Sequence, residues 1–289
     1  MMFRSEHAPS LPMIADGSIR SCLLLAEPHS PEPPEALNLT SPETVQDVHA
    51  QFLASGALLH RTNTHAANRV ALAPYQLEER SEAINNSGSA LTRAAIGVDG
   101  LMMGAIGEIK PGPGNRQVPL SQRERAYSEQ AVYLSDTGVT FLLLEHFTHV
   151  EEALRVLRIA RSASDAPVLA QLRLDVDGNS ADGLPCAEAA RRLADGGAGA
   201  LGISCGPAPD LLPPLVETLV ATGLPVSVML GIRRAGLPHP YPGAPALTPT
   251  AFAEALAGLA DMGAAILGGC CGCGPEHIRA LSRAVAGRG

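Results

Sequence analysis

Three cysteines fall within four positions near the C-terminus, Cys270, Cys271 and Cys273 in the run GGCCGCG, and Cys205 closes the apolar run ALGISC. Thiolates are soft ligands. Three of them with an open fourth place form a catalytic zinc pattern, whereas a structural site normally fills all four places. Neighbouring side chains on a regular strand point to opposite faces, so Cys270 and Cys271 converge only where the backbone bends. Gly268, Gly269 and Gly272 supply that freedom. Cys205, two strands earlier, is placed to complete a triangle, and Cys273 is a candidate fourth ligand that would close the site. Spacing alone leaves a second reading open, in which small thiols are buried as weak hydrophobes. Cys22 and Cys186 take that second reading.

These residues need a frame that brings strand ends together. Eight short apolar runs read as strands, at 12–15, 57–63, 100–107, 141–147, 167–174, 200–205, 225–231 and 264–269. Segments of helical character lie between most of them, notably 41–57, 150–163, 187–198 and 248–264, each closing near a glycine. Ser41 and Glu43 suggest a capped start for the first of these. Eight βα units predict an α/β protein with a (β/α)8 TIM barrel, and the length suits one domain over 1–289. An open doubly wound sheet is the competitor, weakened by the lack of G-x-G-x-x-G after the first strand. The Pro- and Gly-rich segments 24–40 and 232–247 read as long βα loops on the active-site face. Polar or soft residues mark the strand ends: Asp16-Gly17, Asn63-Thr64, Glu108, Glu145, Cys205 and Cys270-Cys271.

Composition excludes several functions. The formal net charge is -8 and Lys110 is the sole lysine, so no basic patch for nucleic acid is present. No run reaches the roughly 18 apolar residues of a membrane span, and the N-terminus lacks the apolar core of a signal peptide. A cytoplasmic, reducing location is therefore expected, with the six cysteines as thiols or ligands instead of disulfides.

The run ILGGCCGCGPEHIRAL resembles the C-terminal signature of the homocysteine S-methyltransferase family. IADG, ALNLTSPETVQDVHAQFLASGALLHRTNTHAANRVAL, FLLLEHF and GALGISCG follow the family's order. The resemblance covers nearly the whole chain. It implies a zinc-dependent (β/α)8 barrel that methylates the sulfur of homocysteine to give methionine, with Zn2+ on Cys205, Cys270 and Cys271. It also implies that Asp16 and Glu145 contact the amino acid, with Gly17, Asn63 and Thr64 beside them. A free thiol of pKa about 8.5 is only a few per cent thiolate at neutral pH, and coordination to Zn2+ removes the proton. Three thiolates offset the metal's charge, which leaves the incoming sulfur electron-rich.

The chain departs from the family pattern around that site. DGSIRS stands where the family has DGAMGT, NTH places His65 at an aromatic position, Ser204 precedes Cys205, and GIRRAG follows the seventh strand. Arg20, His65, Arg233 and Arg234 are candidates to bind another acceptor or donor. The alternatives are thus a related enzyme for a different thiol or selenol, or an inactive metal-binding relative. The partners expected are homocysteine and a small-molecule methyl donor. With no Trp and 3% aromatics, an aromatic cage for betaine is disfavoured. S-methylmethionine fits, and a methylated corrinoid or folate would need a further domain or partner.

Overall fold

The structure is a computed structural model that describes residues 12–111, 117–206, 208–237 and 244–288. Its strands are β1 (Met13–Ile14), β2 (Leu59–Arg61), β3 (Leu101–Gly107), β4 (Phe141–Phe147), β5 (Val168–Leu172), β6 (Ala200–Ser204), β7 (Val226–Leu230) and β8 (Ala264–Gly269). All pair in parallel in the order β1-β8-β7-β6-β5-β4-β3-β2, and a parallel bridge between Ala15 and Leu59 joins the two ends. The result is a closed (β/α)8 barrel with helices between the strands.

Side-chain alternation divides the core into two layers. Along β4, Phe141 and Leu143 point into the barrel with Met13, Leu59, Met103, Leu169, Met229 and Ile266. Leu142 and Leu144 point outward, under the helices. By the same parity Leu59 and Arg61 face inward on β2, and Arg61 caps the packed interior at the mouth.

The four expected helical segments are present as Pro42–Leu53, Val150–Ala163, Cys186–Asp195 and Pro249–Ala257, most with shifted ends, and further helices such as Ser81–Ile96 and Leu120–Ser135 join them. Ser41 makes no side-chain cap; the helix Pro42–Leu53 starts on its proline instead. Segment 24–40 is not a plain loop. The helix Ile19–Ala26 runs into it, and a 3-10 turn (Pro34–Ala36) and a short helix (Leu37–Thr40) follow. Part of the loop at 232–247 lies outside the described residues, as do Met1–Leu11, on which the expectation about a signal peptide falls. Among the described residues no helix is long and apolar enough to cross a membrane.

Candidate metal centre and acceptor site

Cys205, Cys270 and Cys271 meet at the C-terminal mouth of the barrel, after β6 and β8. Their sulfurs and one ring nitrogen of His146 all lie within 4.8 Å of one another. The Cys270 and Cys271 sulfurs are 4.0 Å apart, close to the edge of about 3.8 Å expected for a tetrahedron with metal–sulfur bonds of about 2.3 Å. The spacing and the donor set therefore fit a zinc ion.

Backbone geometry explains how sulfurs from different parities converge. Cys205 follows inward-facing strand positions and by alternation would turn outward. Its φ of +50° turns it into the barrel. The bonds Cys205 N–H to Met229 carbonyl (3.0 Å) and Cys270 N–H to Leu230 carbonyl (2.8 Å) fix both segments against β7. After Cys271 the chain reverses at Gly272, whose φ is +79°. A Cβ there would overlap the Ile232 carbonyl oxygen, so this glycine is required twice over. Gly268 and Gly269 serve differently from expectation: neither has positive φ, and both are small because Ala15 and Cys273 press against them. The PEHI run then starts the helix Pro275–Ala286, where the Gly274 N–H donates to His277 Nδ1 at 3.3 Å.

Burial and hydrogen bonding separate the thiols electrically. Hydrogen bonds from Cys205 and then Cys270 hold Cys271 well below the usual thiol range, whereas burial pushes Cys205 well above it. Cys271 is thus the sulfur of the three that gives up its proton most readily. Cys273 is excluded from the cluster: it is fully buried, its thiol donates to the Leu230 carbonyl at 3.2 Å, and burial holds its pKa well above normal. Burial likewise raises Cys22 to about 12 and Cys186 to about 11, which suits packed thiols.

Beside the cysteines, Arg61 dominates the electrostatics. Its backbone N–H and Nε each donate at 2.8 Å to an oxygen of Asp16, and its Nη1 donates to Glu145 Oε1 at 2.5 Å. Nη2 donates to the Gly17 carbonyl and, at 2.7 Å, to the Gly269 carbonyl. Burial disfavours its charge, but Asp16 and Glu145 outweigh that and raise its pKa well above normal. Burial pushes Asp16 up, with Arg61 pulling it back; the Nε–Oδ1 contact of 2.8 Å is an ion pair, to which the backbone N–H adds a second donor. Glu145 is held below the carboxylate range, because Arg61 and His65, whose Nδ1 lies 3.1 Å from Oε2, outweigh its burial.

Other sequence candidates are held by partners of their own. Asn63 Nδ2 donates to the Pro34 carbonyl (2.7 Å) and to Asn38 Oδ1 (2.8 Å). Thr64 Oγ1 donates to the Ala105 carbonyl (2.8 Å). Gly17 has no room for a side chain, since a Cβ would lie 2.5 Å from the Cys273 carbonyl oxygen. Glu108 is engaged by Lys110, Thr148 and His149, away from the sulfurs. Arg234 pairs with Glu276 at 3.0 Å.

Two cavities share this mouth. A chamber of about 70 Å³ is lined by Arg61, Asn63, Thr64, Glu145, Cys270 and Cys271, among others. It adjoins a larger cavity of about 610 Å³, and Ser18, Arg20, His65, His146 and Cys271 line both. A still larger cleft of about 970 Å³ on the flank, between Arg69, Pro74 and Arg125, holds none of these groups.

Three residues escaped the sequence reading: Arg61, Glu35 and His146. Glu35, almost fully buried, lines the small chamber, accepts the Ala66 N–H at 3.1 Å and faces Arg20 at 3.5 Å. The inward parity of β2 was the available signal for Arg61. For His146 and Glu35 the sequence carried none.

Comparison with known proteins identifies the family. Residues 13–285 match the model of the family described as "Homocysteine S-methyltransferase". The chain belongs to this family. Among curated relatives, methionine synthase of Mycobacterium tuberculosis is 30% identical over 273 residues, 87% of this chain and 22% of that protein. Methionine synthase of Mycobacterium leprae is 29% identical over 278 residues, with the same shares. The chain thus spans about a fifth of the length of the curated relatives it matches. Among solved structures, the metallated form of the Escherichia coli homocysteine methyltransferase MmuM superposes with TM-score 0.77 at 20% identity, covering 98% of this chain and 99% of that one. That likeness concerns the fold of this family member.

Proposed function

We propose that the protein transfers a methyl group to the sulfur of homocysteine, giving methionine, with zinc on Cys205, Cys270 and Cys271. The convergence of those three sulfurs at the barrel mouth carries this reading. When bound, zinc supplies a place where a thiol loses its proton yet stays nucleophilic among three thiolates.

The chain's own residues orient the acceptor. The small chamber alone is too tight for the whole acceptor, so acceptor and donor would share it with the outer cavity, and Cys271 lines both. Asp16 lies beneath Arg61, so it acts through the guanidinium, which it fixes together with the Gly17 carbonyl. Glu35 and Glu145, the latter already paired with Arg61 and His65, line the chamber and would meet the acceptor's ammonium. Asn63 and Thr64 shape its wall. Such positioning lowers the entropic part of the barrier.

For the donor, S-methylmethionine fits the outer cavity, where the described lining residues include no aromatic cage. A methylated corrinoid or folate brought by a further domain or partner is the alternative suggested by the longer methionine synthases. Arg61 favours a second reading of the acceptor: because it already neutralises Asp16 and Glu145, a thiol without an ammonium group also fits. A cytoplasmic setting accords with free thiols. The test is zinc content together with a donor screen, read as methionine mass. One zinc per chain and methionine formation are expected; zinc with methylation of another thiol alone would favour the second acceptor reading.

A further inference from the structure

Both carboxylate oxygens of Glu145 are occupied. Arg61 Nη1 donates to Oε1 at 2.5 Å, and His65 Nδ1 lies 3.1 Å from Oε2. An acceptor's ammonium reaches this carboxylate only by displacing one of the two. Arg61 is fixed: its side chain is 5% exposed, and its other donors hold Asp16 and the Gly17 and Gly269 carbonyls. His65 is the partner that can leave. Its side chain is 34% exposed, and it lines both the chamber and the outer cavity, so a displaced ring has room on the outer side.

The swing involves the side chain alone. The His65 carbonyl accepts the Gly107 N–H at 2.8 Å, which ties this stretch of chain to β3. The ring rests on the bare face of Gly107, where a Cβ would overlap the imidazole. The charged groups facing the ring are Glu145 on β4, Glu35 in the turn Pro34–Ala36 and Arg20 on the helix Ile19–Ala26. Beside Gly107, Glu108 is engaged by Lys110 and His149.

We propose that His65 determines which acceptor the site takes, by competing with the acceptor's ammonium for Glu145 Oε2. A thiol that carries an ammonium group binds against this competitor, and a thiol without one does not. The proposal rests on the reading of Glu145 as an acceptor contact and names the residue that decides between the two acceptor readings. Protonation strengthens the competitor, because a cationic ring forms an ion pair with Glu145 where a neutral ring gives a hydrogen bond. Desolvation at the mouth disfavours the charged ring, but the hydrogen bond to Glu145 and the charges of Glu145 and Glu35 outweigh it, so the His65 pKa is raised. Discrimination against the ammonium therefore grows as pH falls through that raised value and relaxes above it.

The test is calorimetric titration of zinc-loaded full-length protein with homocysteine and with 4-mercaptobutyrate, which is homocysteine without its ammonium group. The ratio of the two Kd values cancels the metal–sulfur bond and the thiol proton, which both acceptors share. In wild type the ratio of the homocysteine Kd to the 4-mercaptobutyrate Kd should rise as pH falls from about 8.5 to about 6. His65→Phe keeps a ring on Gly107 and removes the donor. It should tighten homocysteine about three- to tenfold, the worth of one hydrogen bond, and leave 4-mercaptobutyrate within about twofold. His65→Asn keeps an uncharged donor, so part of the discrimination should persist with a ratio that is flat against pH. Weaker binding of both thiols by His65→Phe, the result of a purely structural role, would overturn the proposal. A flat wild-type ratio, which needs no variant to measure, would do the same and leave the acceptor reading standing. Binding of neither thiol to zinc-loaded wild type would overturn the acceptor reading and this proposal with it.

Discussion

Arg61 grips Asp16 with two donors, a backbone N–H and a side-chain Nε, each 2.8 Å from a different carboxylate oxygen. One residue thus ties the end of β1 to β2, and its free end reaches across the mouth to Glu145 on β4. Removing it strands two carboxylates, one wholly buried and the other 12% exposed. We expect Arg61→Met to lose about 3–5 kcal/mol at neutral pH, measured by urea unfolding. A loss under 1 kcal/mol would mean that water replaces the guanidinium easily.

The turn after the cysteines gives an independent prediction. Gly272→Ala forces a Cβ into the Ile232 carbonyl at a φ of +79°. It should cost about 2 kcal/mol or more and weaken metal binding at least tenfold, because Cys270 and Cys271 are held by this turn. The measurement is chelator competition on the folded protein. Gly223→Ala, at φ +76° on an open surface, is the control: strain there should leave zinc affinity unchanged.

Acid stability should report two buried histidines behind the barrel wall. His49, on the helix Pro42–Leu53, has its pKa lowered to about 3 by burial and by His60, which burial lowers as well. Both are bases whose folded pKa lies below the unfolded value, so the unfolded chain binds more protons in the interval between. Stability is therefore fully present above about 6.5 and declines for His49 as pH falls toward about 3, at up to about 1.4 kcal/mol per pH unit, with His60 acting in the same direction. His49→Gln, which keeps a partner for Thr92 Oγ1, should flatten the slope of unfolding free energy between pH 6 and 4. An unchanged slope would assign the acid sensitivity to other groups.

Much of this site is legible from residue types and spacing. The parity of apolar runs places Cys270 and Glu145 inside, and the paired cysteines flanked by glycines announce a bend. Other features depend on facts a sequence does not display. Cys205 and His146 turn inward because of a positive φ that no side-chain type advertises; only glycine does so reliably. Arg61 looks like a charged residue at a strand end, and its partners lie 45 and 84 positions away. Glu35 sits in a Pro-rich stretch that reads as solvent-facing loop, yet the turn Pro34–Ala36 buries it. Ser41 has the right type for a cap and loses that role to Pro42.

Cys273 separates the ligand set from its surroundings. Its thiol is spent on the Leu230 carbonyl, so Cys273→Ala should retain one zinc per chain, with a stability loss of about 1–2 kcal/mol from the lost packing and hydrogen bond. Loss of zinc in this variant, by metal analysis, would place Cys273 among the ligands.

The central claim is a metal held by Cys205, Cys270 and Cys271, and its most direct test is zinc stoichiometry after dialysis against a mild chelator. Wild-type protein should retain one zinc per chain, and Cys271→Ser should retain almost none while remaining folded. A wild-type protein without zinc, or a Cys271→Ser variant with an unchanged zinc content, would contradict the account.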